Sequence, residues 1–202
     1  MKTKDKILEE ALKQFNEKGL NNTGVREIAR SLEISPGNMS YHFPKKEDII
    51  LALLEKYSTT NSSFYEEFSN SEPTNRNFVG LFESLFNNQY EFRGVFIGNY
   101  ETQKVLQDQK QYNYFELETK RKETLKSFLI AIKDNGDLDF DQEDGDFLVS
   151  FLSLFGRFWI MEAFLLGRKA HKTKVIEYYL EILKRQLLFF ATEKGQNSIQ
   201  SL

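Results

Sequence analysis

The chain has 202 residues, a net charge of −3, no cysteine and two histidines, with 40% hydrophobic and 28% charged residues. This is the composition of a soluble globular protein with room for a sizeable core. It excludes disulfides, thiolate nucleophiles and cysteine-ligated zinc, and fits a reducing cytoplasm. A net acidic chain is a poor general binder of nucleic acid. The charge is unevenly spread, however: residues 1–50 hold 9 Lys/Arg against 8 Asp/Glu, and the remainder 18 against 22. That asymmetry suits an N-terminal module that meets phosphate. The start, MKTKDKILEE, lacks the apolar run of a signal peptide.

Sparse Pro and Gly and the lack of β-branched alternating runs predict an all-α fold of about nine helices. In the first helix Ile7, Leu8, Ala11, Leu12 and Phe15 share one face, and Gly19 follows as its C-cap. Thr23 is the expected N-cap of a short second helix carrying Val25, Ile28, Ala29 and Leu32 at i, i+3, i+4 and i+7. Glu33-Ile34-Ser35 makes a tight turn. Ser35 followed by Pro36 is an N-cap with proline at the first helical position, which starts a third helix of about two turns ending near Phe43-Pro44. A fourth helix begins near Lys45 with Glu47 and Asp48 in its first turn, favourable for the helix dipole, and runs to about Phe68.

Residues 69–77, SNSEPTNRN, read as a polar loop. Helices are expected over about 78–92, 95–106 and 110–134, then an acidic connection at 134–146, then two long helices over about 142–167 and 172–194, and a frayed tail. In the acidic connection Asp137, Asp139 and Asp141 alternate like the start of a calcium loop. Its sixth position is Gln142 and its twelfth Leu148, where such a loop needs Gly and Glu, so it reads as a solvated linker and no metal or cofactor is expected. Residues 147–167 are apolar enough to suggest a membrane span. Arg157 near the middle would cost about 2.5–3.5 kcal/mol there, so a helix buried in protein is expected instead.

The two short helices around the turn form a helix-turn-helix pattern over about 24–43. A recognition helix must offer small or polar side chains to base edges and keep its back on the core. Gly37 permits close backbone approach, Asn38 reads adenine or contacts phosphate, and Ser40 is a versatile hydrogen-bonding group, while Met39 faces inward. Tyr41 and His42 can donate to phosphate oxygens, and Lys46 lies beside a helix N-terminus as a phosphate clamp. Thr23 and the amides of Gly24 and Val25 offer phosphate contacts at the second helix. Phe43 reads as the plug that ties the recognition helix to the fourth helix. Each has a plainer reading beside it: Tyr41 as ordinary surface, His42 as a structural histidine, Lys46 as a solvated charge, Arg26 as a partner for nearby acids.

Ala11-Leu12-Lys13-Gln14-Phe15, Lys18-Gly19-Leu20, Thr23 to Ala29, Ile34 to Met39 and Tyr41 to Ile49, in this order and spacing, resemble the DNA-binding domain of the TetR/AcrR family of bacterial regulators. The resemblance covers about a quarter of the chain and implies a DNA-binding domain over residues 1–48. It implies DNA contact by Thr23, Gly24, Arg26, Ser35, Pro36, Gly37, Asn38, Ser40, Tyr41, His42 and Lys46. Three positions depart from the family pattern. Ser40 stands where Tyr is common, Glu33 where Gly is common, and Gly24 where Thr or Ser is usual.

Residues 49–202 carry no motif of their own. For them the resemblance implies a larger helical ligand-binding domain that also dimerises through its last two long helices. With 19 Phe, 9 Tyr and one Trp in the chain, Phe64, Phe68, Phe82, Phe86, Tyr90, Phe96, Tyr100, Phe128 and Trp159 are the candidate pocket walls, with Glu162 as a polar group. For any single one of them ordinary core is the plainer reading. Phe151, Phe158, Met161, Leu165, Tyr178, Ile182 and Leu187 are the candidate dimer face, or else intramolecular packing. Two distant histidines, no cysteine and no glycine-rich phosphate loop leave no catalytic set. The resulting expectation is a cytoplasmic bacterial homodimer and not an enzyme. It would bind double-stranded operator DNA as a repressor and be released by a small, largely apolar effector. The alternatives are a TetR-like activator and a helical partner-binding scaffold without DNA binding.

Overall fold

A computed structural model describes residues 3–97, Thr102, 114–167 and 171–200. Ten helices are present among the described residues, and no strand: α1 (Thr3–Lys18), α2 (Val25–Ser31), α3 (Pro36–His42), α4 (Lys46–Ser69), α5 (Asn75–Glu91), α6 (Arg93–Ile97), α7 (Tyr114–Asp134), α8 (Gln142–Leu165), α9 (Lys172–Leu188) and α10 (Glu193–Gln200). The all-α expectation holds. Of the helix expected over 95–106, residues 95–97 lie in α6 and Thr102 is helical, and the others lie outside the described residues. The last long helix stops at Leu188, and the tail expected to fray is the helix α10.

The chain divides into two compact units, Met1–Thr60 with Gln89–Tyr114, and Asn61–Asn88 with Phe115–Leu202. The first therefore extends past the expected boundary at residue 48. Its core joins Ile7, Ala11 and Phe15 of α1 to Ile28 of α2, Met39 of α3, Phe43, and Ile49, Ile50 and Leu53 of α4. Phe92 and Val95 complete it, and Tyr57 meets the rings of Phe92 and Phe96 edge-on at 5.6 and 4.7 Å between centroids.

The second unit is built on aromatic rings spaced by helical turns. Phe78, Phe82 and Phe86 stand at i, i+4 and i+8 of α5, with ring centroids 5.2 and 5.8 Å apart. The ladder continues from Phe86 to Trp159 at 4.6 Å and on to Tyr179 at 5.2 Å. Burying each phenylalanine contributes about 1.5–3 kcal/mol, and edge-on pairs add about 0.5–1.5 kcal/mol.

In the acidic connection Asp139 and Asp141 are exposed, as a solvated linker requires, but Asp137 is not. Asp137 is 0% exposed. Its carboxylate accepts the Asn75 amide at the start of α5 at 2.8 Å and lies 3.4 Å from the Lys194 ammonium. A carboxylate at that place satisfies an orphan N–H and favours the helix dipole. The Asp137 carbonyl accepts the Thr192 amide at 3.1 Å, and Gly195 packs so closely that a Cβ there would lie 1.8 Å from that carbonyl oxygen. A charge run looks solvated in sequence because its burial depends on helix ends more than 50 residues away on either side.

Candidate nucleic-acid interface

α3 is set by local chemistry. The Ser35 side-chain oxygen accepts the Asn38 amide at 3.2 Å, and Pro36 occupies the first turn. Met39 alone of its residues is buried. At 100° per residue Gly37 and Tyr41 point away from Met39, with Asn38 and Ser40 on the flanks. Pro36, Gly37, Asn38, Ser40 and Tyr41 are accordingly exposed, Tyr41 by 83%. His42, nearer the core side, is half-buried with its ring edge-on to Tyr41 at 5.1 Å. Phe43 closes α3 from below at 3% exposure.

The turn before α3 is a Schellman-type helix end. Glu33 donates to the Arg30 carbonyl at 3.2 Å and Ile34 to the Ala29 carbonyl at 3.1 Å. The turn puts Glu33 at φ 54, the only non-glycine positive φ among the described residues.

The start of α2 departs from expectation. Its N-cap is Gly24, not Thr23. Thr23 is 1% exposed, and its hydroxyl donates toward the Gly19 carbonyl at 3.1 Å with the Gln14 carbonyl at 3.4 Å. The Gly24 amide donates to the Glu27 carboxylate at 3.1 Å. Both groups are thus held by the protein itself: the Thr23 side chain belongs to the core, and an acid already occupies the Gly24 amide. Arg26 is exposed on the same helix. The Lys46 ammonium, expected to be free for phosphate, donates to the Leu20 carbonyl at 3.1 Å and is half-buried.

α1 and α2 are tied by Ser31, whose hydroxyl donates to the Glu10 carboxylate at 2.6 Å. That bond, aided by the Gln14 amide and opposed by burial, holds the Glu10 carboxyl below its ordinary value of 4.5. Sequence spacing gave no sign of this pair, because 21 residues separate its members.

The candidate pocket residues are divided between the two units. Phe68, Phe82, Phe86, Phe128 and Trp159 are buried in the aromatic core of the second unit, with Phe68 and Phe128 4.6 Å apart, and Phe64 is half-buried. Tyr90 and Phe96 belong to the first unit, where Phe96 packs on Tyr57. Tyr100 lies outside the described residues. Glu162 is exposed on α8 and is not a buried polar anchor, since it falls on that helix's outer side. Arg157 instead pairs with Glu118 of α7.

The candidate dimer residues separate by face. Phe147, Phe151, Leu154, Phe158, Met161 and Leu165 follow steps of four and three along α8, the spacing of a coiled-coil seam. Phe147, Leu154, Phe158 and Leu165 are exposed, Leu165 by 84%. Phe151 and Met161 are half-buried. On α9 Tyr178 is exposed and Ile182 half-buried, and Phe189, which the sequence pattern did not single out, is 81% exposed just beyond the helix end. Leu187 is 0% exposed and belongs to the internal stripe with Leu180 and Leu183. α8 is long and apolar enough to cross a membrane by length and composition alone. About a third of its apolar window is buried (33%), and Arg157 pairs with Glu118 of α7.

A capped recognition helix, a Schellman turn and a buried Met39 anchor define a helix-turn-helix module of DNA-binding type. The model for bacterial regulatory proteins of the tetR family matches residues 7–53, the helix-turn-helix and its flanking helices. It is 40% identical over 72 residues to the probable HTH-type transcriptional regulator YttP of Bacillus subtilis, a match covering 36% of this chain and 31% of that one. The chain thus spans about a third of that curated relative's length. It is 26% identical to the biofilm operon icaADBC HTH-type negative transcriptional regulator IcaR of Staphylococcus epidermidis, over 79% of this chain and 83% of that one. A TetR-family transcriptional regulator structure from Marinobacter aquaeolei superposes with a TM-score of 0.82 at 25% identity, covering 100% of this chain and 97% of that one.

Proposed function

We propose that this protein is a cytoplasmic, DNA-binding transcriptional repressor that sits as a homodimer on a palindromic operator and is released by a small, largely apolar effector. The observation that carries the reading is the outer face of α3. Gly37, Asn38, Ser40 and Tyr41 lie exposed there on a helix anchored by the single buried residue Met39. Small and polar groups read base edges, while Tyr41 and His42 take phosphate and fix the register. Arg26 and Lys46 supply positive charge on either side. Lys46 remains a candidate phosphate ligand despite its bond to Leu20, because an ammonium carries three donors.

The exposed seam of α8, with Tyr178 and Phe189, supports two-fold pairing. An apolar stripe of this kind on a soluble chain is covered by a partner, and an operator with two half-sites needs one. The negative regulator IcaR supports repression. Release by effector follows as a shift between two populations of the dimer.

The test is fluorescence anisotropy of labelled duplexes from the upstream intergenic region against a scrambled duplex, across salt. Selective binding is expected. Because Tyr41 is exposed, Tyr41→Ala should weaken it without loss of helicity and leave the salt slope nearly unchanged, since a neutral phenol displaces no counterion, whereas Lys46→Ala should reduce the slope by about one. Equal affinity for both duplexes at every salt concentration, persisting against a genomic fragment library, would reject the reading in favour of a partner-binding scaffold.

A further inference from the structure

α7 turns a buried stripe toward the core of the second unit, made of Leu125, Phe128 and Ile132. Arg121 stands at the head of that stripe, one turn before Leu125, and is half-buried. A cation in such a place ordinarily has an acid beside it, because an unpaired buried charge is costly. Arg121 makes no ion pair among the described residues. Glu118, one turn earlier on the same helix, is held by Arg157 of α8. The guanidinium of Arg121 is therefore a surplus positive charge on the inner side of α7.

Two hydroxyls stand near it. Lys126 meets Asp146 at 2.8 Å and Glu118 meets Arg157, so α7 and α8 run antiparallel and Arg121 comes level with Ser153. The Ser153 hydroxyl is buried and has no hydrogen-bond partner. It does not take even the carbonyl one turn back that a helical serine commonly uses. Tyr65 of α4 lies close enough for Arg121 and Glu118 both to act on its phenol. Burial raises that phenol above its ordinary value of 10.0, with Arg121 opposing and Glu118 adding, so it keeps its proton near neutrality. Its hydroxyl makes no hydrogen bond among the described residues. Beside it the Tyr65 ring meets Phe128 at 6.1 Å, and Phe128 meets Phe68 at 4.6 Å.

We propose that Arg121, Tyr65 and Ser153 bind the carboxylate of an amphipathic effector whose apolar body lies on Phe68 and Phe128. This rests on the effector reading above and gives it a head group. All three side chains offer hydrogens, and no described acceptor is bonded to them. A carboxylate has about four lone-pair sites, enough for a guanidinium fork and two hydroxyls. Its single negative charge matches the single surplus charge of Arg121. A phosphate monoester carries about −1.5 to −2 and would leave charge uncompensated among aromatic rings. A cationic head group would be repelled by Arg121 itself.

The full-length protein is titrated with decanoate and with naphthoate, each against the alcohol and the ammonium of the same skeleton, below their micelle concentrations. Binding is followed by the melting temperature and by emission of Trp159, the chain's single tryptophan, buried in the second unit. Wild type should bind at least one carboxylate about tenfold more tightly than its matched alcohol and ammonium. Arg121→Gln should lose about tenfold or more for the carboxylate and keep wild-type affinity for the alcohol. Arg121→Lys keeps the charge and loses the fork. It should fall between the two, and it is the variant scored if Arg121→Gln does not fold. Tyr65→Phe and Ser153→Ala should each lose about three- to tenfold. Without ligand, Ser153→Ala should melt no lower than wild type, since it removes a hydroxyl that bonds nothing; a merely structural serine would melt lower. Equal affinity for the three head groups, no saturable binding of either carboxylate, or full carboxylate affinity in Arg121→Gln overturns the site. Operator duplex added to the same samples separates the two readings: carboxylate binding with the duplex still held refutes release by effector and leaves the carboxylate site standing.

Discussion

Glu33 is held at φ 54 in the turn that aims α3, and replacing it isolates one energetic quantity. In the left-handed region the Cβ of an L-residue crowds the following carbonyl, costing about 1–2 kcal/mol. Glycine removes that strain but gains about 0.5–1 kcal/mol of unfolded-state freedom. The difference leaves Glu33→Gly more stable by about 0.5–1 kcal/mol, because Glu33 is exposed and its backbone N–H bond to Arg30 does not involve the side chain. Glu33→Ala keeps the Cβ and should gain almost nothing, which separates strain from charge. The assay is native-state hydrogen exchange at the Glu33 and Ile34 amides, which close the turn at 3.2 and 3.1 Å. The glycine variant should slow exchange by about two- to fivefold, the Boltzmann equivalent of that energy. Operator affinity should hold or rise, since the turn geometry is already that of glycine. A gain in Glu33→Ala equal to that in Glu33→Gly, or faster exchange in the glycine variant, would refute the assignment of strain to this residue.

Three other outcomes are expected. Ser31→Ala removes the bond that chiefly holds the Glu10 carboxyl below 4.5. A depressed folded value contributes stability above about pH 4.5 that disappears on acidification. Melting curves of variant and wild type should therefore differ most near neutrality and converge as the pH falls below 4. Phe158→Glu and Leu165→Glu should convert a dimer to monomer in sedimentation and lower operator affinity while preserving helicity. Leu187→Ala, at a fully buried position, should instead cost about 2–5 kcal/mol of folding stability. Retention of the dimer in both glutamate variants would remove the α8 seam from the interface. Gly195→Ala forces a methyl into the Asp137 carbonyl. A loss of about 1–3 kcal/mol is expected from such overpacking, read as a lower urea midpoint by Trp159 emission; an unchanged midpoint would mean that α10 docks without strain.

Where a signal is local, sequence reading reached the structure. Ser35-Pro36 caps α3 because the side chain and the amide it accepts are three residues apart. Asp141 likewise caps α8 by accepting the Asp144 amide at 2.9 Å. The apolar face of α1 and the inward Met39 follow from helical period alone. Thr23 was misread because the same hydroxyl that can cap a following helix can also donate back to the preceding turn, and only burial decides between them. Leu187 and Phe189 are both apolar residues at the end of α9, and nothing local tells the buried one from the exposed one.

An all-α chain, the end of α1, the start of α3, the approximate span of α4 and the face that α3 turns outward were legible in the sequence alone, since these depend on caps and periodicities spanning a few residues. Only the tertiary structure decided that Asp137 is buried, that Glu10 meets Ser31, that Lys46 leans on Leu20 and that Asn16 closes the α5–α6 corner. Those contacts join residues from 21 to 78 positions apart. Their formation depends on where whole helices come to rest, a property no short window of sequence contains.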